Sequence, residues 1–156
     1  MAAPTGVEIA KPFVKATINV LSTMAMIVPK PGKPYIKKDD NAKGDVSAVI
    51  GFTGDRNGSV SLSFSKKCAI ALVKAMLGDD IQDLLQDVKD AVGEITNMVS
   101  GQARAGLSEM GMHFAGSTPS VIMGDGHTIS HVTKEPVVII PFTTEHGDFF
   151  VEFSFD

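Results

Sequence analysis

The chain has 156 residues, and its 14 basic and 18 acidic side chains leave a formal net charge of −4. That balance excludes the basic face a nucleic-acid binder needs, and no apolar run approaches the roughly 18 residues of a membrane-spanning helix. One cysteine, Cys68, excludes an internal disulfide, and the length suits a single domain over 1–156 with a substantial core. Residues 1–12, "MAAPTGVEIAKP", lack the charged start and apolar stretch of a signal peptide, so a cytoplasmic protein is expected.

In chain order, Ala10, Phe13, Val14, Ile18, Leu21 and Ala25 recur at helical spacing and predict a first helix from Val7 to Met26. "PKPGKP" (29–34) breaks it. "DVSAVIGFTGDRNGSVSLSFS" (45–65) reads as two strands around the turn "DRNG". A second helix is expected from about Ser65 to Leu77, stopped by Gly78. A third opens after "GDD", with Asp79 or Asp80 as N-cap, and runs to about Glu109. Strands are expected in the β-branched and aromatic runs at 112–116, 120–123, 127–132, 137–143 and 148–155. The class is α+β, an antiparallel sheet packed against long helices.

The chain also echoes itself. "VIGFTGDRNGSVSLSFS" (49–65) resembles "VIIPFTTEHGDFFVEFS" (138–154), matching Phe52 with Phe142 and Phe64 with Phe153. Each hairpin follows a helix holding Asn-apolar-apolar-Ser, "NVLS" at 19–22 and "NMVS" at 97–100. Two related helix-plus-hairpin halves are therefore expected, with extra strands inserted in the second.

The third helix carries the residues of greatest chemical interest. At about 100° per residue, Ile81, Leu85, Val88, Val92, Ile95 and Val99 fall on one side, which is predicted to be buried. Asp83, Asp87, Asp90, Glu94, Asn97 and Gly101 fall opposite, with Asp90, Glu94 and Asn97 stacked at i, i+4 and i+7. An acidic stripe with almost no lysine makes few stabilising ion pairs. Interior Asn and Gly also cost helix stability, about 1 kcal/mol for each glycine relative to alanine. Gly93 and Gly101 beside Glu94 and Asn97 are thus expected to let another backbone come close.

The pattern Asp90-x-x-x-Glu94-x-x-Asn97, with Pro119 downstream, resembles the signature of the CheC/CheX/FliY family of chemotaxis response-regulator phosphatases. The similarity extends through "KPFVKATINVLSTM", "PGKPYIKKDD", "DAVGEITNMVSGQAR", "PSVIMGDGHTISH" and "PVVIIPFTTEHGDFFVEFSF", from about Pro12 to Phe155. The resemblance implies hydrolysis of the aspartyl phosphate of a CheY-like receiver domain. Glu94 would pair with the receiver's active-site lysine and Asn97 would orient the attacking water, with Asp90 and Pro119 in support. It also implies Mg²⁺ on the receiver, no metal or cofactor held by this chain, and a homodimer paired through the sheet. Asn19 aligns with Asn97, but Ala16 stands opposite Glu94 and Pro12 opposite Asp90, so Asn19 is expected to be structural or vestigial. A non-catalytic adaptor that binds receivers through the same helix is the alternative reading.

Other signals are weaker. His127 and His131 are four apart, which on a strand separates them by about 13 Å, too far for one ion. Cys68 reads as an inert helix cysteine, and Met98, next to Asn97, as a possible interface contact.

Overall fold

The computed structural model describes residues 6–39, 42–124, 127–129, 131 and 135–156. Helix α1 (Gly6–Ala25) buries Ile9, Phe13, Ala16, Val20 and Leu21 along one stripe. The buried Thr17 hydroxyl donates to the Phe13 carbonyl at 2.7 Å, so it adds no unpaired polar group to that stripe. Pro12 sits inside the helix and is accommodated by α3, where a Cβ on Gly106 would lie 3.0 Å from the proline ring.

Short strands β1 (Lys30–Pro31) and β2 (Tyr35–Ile36) lead into the hairpin β3 (Val46–Gly54) and β4 (Gly58–Phe64). Helix α2 (Lys66–Leu77) is capped by Ser65, whose hydroxyl accepts from the Cys68 amide, and ends at Gly78 with φ of 56°. Helix α3 (Leu84–Glu109), β5 (Phe114–Gly116), β6 (Ser120–Met123), β7 (Val138–Thr144) and β8 (Gly147–Phe155) complete the order. Every strand pairing is antiparallel, in the order β1-β7-β8-β4-β3-β5, with β2 also on β7 and β6 also on β3.

The helices cover one face of this sheet. Alternate residues Val46, Ala48, Ile50 and Phe52, then Val60, Leu62 and Phe64, meet Phe142, Phe149, Val151 and Phe153 in one continuous core. The Phe13 ring stacks on Phe153 with centroids 5.0 Å apart, and Phe142 on Phe149 at 4.8 Å. Burying each such ring is worth about 1.5–3 kcal/mol, which ties α1 and both hairpins together. The central strands pair Leu62 with Val151, Val60 with Phe153 and Phe64 with Phe149.

The opposite face is polar and yet covered. Ser47, Ser59, Ser61, Ser63, Glu152 and Ser154 are all at most 1% exposed. Ser47 and Ser63 hydroxyls meet across the strands at 2.6 Å. His127 Nε2 lies 2.7 Å from Ser47 Oγ, and its Nδ1 lies 2.6 Å from the Gly124 carbonyl. His131 spans Ser59 Oγ (2.6 Å) and Glu152 Oε1 (3.2 Å), and Lys37 donates to that same oxygen at 2.9 Å. The two histidines are thus separately occupied, and among the described residues no cluster of His, Cys, Asp or Glu is arranged for a metal.

Three expectations need correction. The third helix is capped by Asp83, not Asp79 or Asp80. The Asp83 carboxylate accepts from the Gln86 amide, and Asp87 folds back to accept from the Gln82 and Asp83 amides. Asp79 and Asp80 lie in a 3₁₀ turn after Gly78. Leu85, in the first turn of α3, is 60% exposed and Ile81, before the helix, only half-buried, whereas Val88, Val92, Ile95 and Val99 are buried as expected. Finally, among its described residues the run 127–132 holds only a single bridge at Thr128, because its histidines bond to sheet serines through side chains rather than a backbone ladder. Ser130 and Val132 of that run lie outside the described residues.

Cys68 is fully buried, and burial pushes its thiol up to about 11, with Thr144 opposing the shift and Asp148 adding to it. No helix among the described residues is long and apolar enough to cross a membrane.

Candidate functional site

The buried stripe of α3 fixes which residues remain outside. With Val92, Ile95 and Val99 in the core, Asp90, Glu94 and Asn97 are held in the open. Asp90 accepts from the Gln86 side-chain amide at 2.9 Å, an i−4 partner that steadies its carboxylate. The side chains of Glu94 and Asn97 make no hydrogen bond or ion pair among the described residues. A carboxylate and a carboxamide therefore stand free on neighbouring turns of one helix face, offset by about 4.5 Å of axial rise.

The second wall comes from far along the chain. Strand β5 pairs with β3, and the loop after it is tied to β3 at both Gly51 backbone groups. Ser117 N donates to the Gly51 carbonyl at 2.9 Å, and Gly51 N donates to Ser117 Oγ at 2.9 Å. This carries Pro119 over α3. A Cβ on Gly93 would lie 3.4 Å from Val121 Cγ2 and 4.0 Å from Pro119 Cγ. The result is a groove of about 620 Å³ lined by Lys89, Asp90, Gly93, Glu94, Asn97, Gly116, Ser117, Thr118, Pro119 and Val121.

All four positions of the motif thus meet in one groove, although 21 residues separate Asn97 from Pro119. Gly93 is buried, and the side chains of Val121 and Pro119 are nearest to the position of its missing Cβ. Gly101 lies outside the groove, and the nearest atom to its missing Cβ is Arg104 Nη2 at 3.9 Å. Met98 packs partly against the core. Lys89 and the run Gly116-Ser117-Thr118 line the groove unforeseen. Their signal was the small, polar "GSTP" following a strand.

A larger groove, about 980 Å³, runs beside Asn19 between α1 and α3. Size is a poor guide here, because the Asn19 amide donates to Gln102 Oε1 at 2.8 Å and the position corresponding to Glu94 is the buried Ala16. Its chemistry is already satisfied. Asn19→Ala is expected to leave catalytic turnover within about twofold of wild type, while costing the order of 1 kcal/mol in stability for one hydrogen bond. Steady-state assays paired with a denaturation curve check both halves.

A family profile described as Chemotaxis phosphatase CheX matches residues 46–143. The chain belongs to the CheX family. It is 30% identical over 118 residues, 75% of this chain and 76% of the relative, to the CheY-P phosphatase CheX of Thermotoga maritima. Its fold is similar to the crystal structure of a chemotaxis protein CheX from Desulfovibrio desulfuricans, with a TM-score of 0.91 and 74% identity over 96% of this chain and 99% of that one. The fold also resembles a CheX–CheY–BeF₃–Mg²⁺ complex from Borrelia burgdorferi, with a TM-score of 0.78 and 23% identity over 96% of this chain and 98% of that one.

Proposed function

We propose that the chain hydrolyses the aspartyl phosphate of a CheY-like receiver domain, acting in the cytoplasm as one functional unit. The observation that carries this reading is the pair Glu94 and Asn97, free of partners in their own chain and exposed in one groove with Asp90 and Pro119. Membership of the CheX family and the activity named for the Thermotoga relative support it.

In this reading Glu94 pairs with the receiver's active-site lysine. That pairing is what lets an acidic helix face approach a phosphorylation pocket rich in aspartates, because an unpaired carboxylate there would be strongly disfavoured. Asn97 then lies against the phosphoryl group. A carboxamide donates and accepts hydrogen bonds at once, so it can hold a water in line without acting as a base. Glutamine fills the comparable role in GTPases. Mg²⁺ belongs to the receiver and neutralises charge on the phosphoryl oxygens there. This chain contributes no nucleophile and holds no metal for the step. Asp90, fixed by Gln86, and Pro119, fixed by the Ser117–Gly51 ties, support the groove.

The test is phosphate release from a phosphorylated receiver of the same organism, with Mg²⁺ present, for wild type and Glu94→Ala. Acceleration by wild type that is lost in the variant supports hydrolysis at this helix. A stable complex without faster release would instead identify an adaptor.

We also propose a homodimer. Strand β3 is flanked by β4 on one side and β5 and β6 on the other, and β7 by β8 and by β1 and β2. Any sheet-to-sheet pairing must therefore run through the short flanking strands. Light scattering at micromolar concentration is expected to give twice the chain mass, and a monomer mass removes this part of the proposal.

A further inference from the structure

Arg104 follows Asn97 by seven residues, which places it within about 20° of Asn97 around the helix. Long helical side chains run back toward the N-terminus, and Arg104 does so. Its Nη2 lies 3.9 Å from the position a Gly101 Cβ would take. Its Nε and Cζ lie 3.2 and 3.3 Å from the position of a Gly116 Cβ. A Cβ at residue 116 would press on the guanidinium, which would have to give by a few tenths of an ångström, whereas one at residue 101 would only touch it. The two glycines make a seat for this group.

One nitrogen of this group is buried there without a partner. Arg104 makes no ion pair or hydrogen bond among the described residues, and its Nε is buried without a partner. Ser100 Oγ, 3.3 Å from the same Gly116 position and 1% exposed, is likewise buried and unpartnered. Buried polar groups are nearly always bonded, and a chain with more acids than bases could easily have supplied a carboxylate. The residue is only partly buried, on the open side of α3, about two helical turns beyond Asn97.

We propose, building on the reading of the groove as a phosphatase site, that Arg104 is a docking residue for the partner, receiving a carboxylate of the phosphorylated receiver. The planar guanidinium matches a carboxylate in two parallel hydrogen bonds. A head group already seated between two glycines gives up little rotamer freedom on binding. The phosphoryl group is not its ligand. Gly101 lies about 6 Å along the axis from Asn97, and the Asn97 side chain leans the other way. Glu94 and Arg104 then bracket Asn97 with opposite charges. A receiver docked in the reverse direction would set its lysine against Arg104, so the pair sets the direction of docking as well as its strength.

The experiment compares wild type, Arg104→Gln, Arg104→Lys and Gly116→Ala. It measures kcat and KM for phosphate release, and Kd for the same receiver loaded with beryllofluoride. Arg104→Gln should raise KM and Kd about tenfold, the scale of one charge-assisted contact, with kcat within about twofold. Arg104→Lys should recover part of the loss. Gly116→Ala, which presses on the guanidinium without altering it, should weaken binding in the wild-type background and have a smaller effect beside Arg104→Gln. A Kd unchanged within twofold in Arg104→Gln overturns the proposal. So does a fall in kcat at constant KM, which would make Arg104 a transition-state contact, or an additive effect of Gly116→Ala, which would make it packing. If wild type neither binds nor turns over the receiver, the phosphatase reading fails, and this inference with it.

Discussion

Asn97→Ala is expected to lower kcat for receiver dephosphorylation by on the order of 10²-fold or more, with little change in the affinity of the complex. Removal of one positioned donor from a transition state typically costs about 10²–10³ in rate. Asn97 fits that description because its side chain spends nothing on its own protein: it is exposed, unbonded and set between Glu94 and the Pro119 wall. Alanine keeps the helix, since it is the better helix former, and leaves Val92, Ile95 and Val99 undisturbed in the core. A loss of rate therefore cannot be ascribed to unfolding. Asn97→Glu should be no better than alanine, because a second negative charge would then face the phosphoryl oxygens. Stopped-flow phosphate release with saturating receiver measures kcat directly, and a variant within twofold of wild type would remove Asn97 from the chemistry.

Lys37→Met carries the largest expected effect on stability. Glu152 is fully buried on the polar face of the sheet. One of its oxygens takes Lys37 at 2.9 Å and His131 at 3.2 Å, and the other has no partner. Taking away one member of a buried ion pair leaves an uncompensated charge, at a cost of about 3–5 kcal/mol. The substitution should lower unfolding free energy by that order in a urea titration, with the slope of the transition unchanged. Lys37→Met combined with Glu152→Gln should recover most of the loss, because a neutral amide no longer needs the ammonium. A single variant within about 1 kcal/mol of wild type would mean that solvent reaches Glu152 after all.

Much of this architecture is legible in the residues because it rests on periodicity. Val88, Val92, Ile95 and Val99 repeat at the helical period, so both the buried stripe of α3 and the open line Asp90, Glu94, Asn97 follow from counting. Three features escape such counting. Asp79, Asp80 and Asp83 are equally good caps on paper, and only the turn after Gly78 selects Asp83. Ser59, Ser61 and Ser63 of "SVSLSFS" lie on the polar side of the sheet, yet that side is covered by Lys37, His127 and His131. A sequence pattern reports polarity, and a polar face can be covered when its partners arrive from elsewhere in the chain. Arg104 looks like any solvated helix cation until Gly101 and Gly116 are seen to close around it. Pro119 reaches the site only because β5 pairs with β3, a long-range choice that local spacing does not encode.

The bond between Ser117 and Gly51 has a kinetic meaning. It anchors one wall of the groove to the sheet, while the other wall is a helix whose inner side is locked in the core. Under the proposed function, neither wall has to be assembled when a receiver arrives. Encounters in the right orientation can then commit without waiting for a loop to order itself, and little conformational entropy is lost on contact. In the proposed reading, capture of the receiver is limited by diffusion and charge rather than by ordering of the groove.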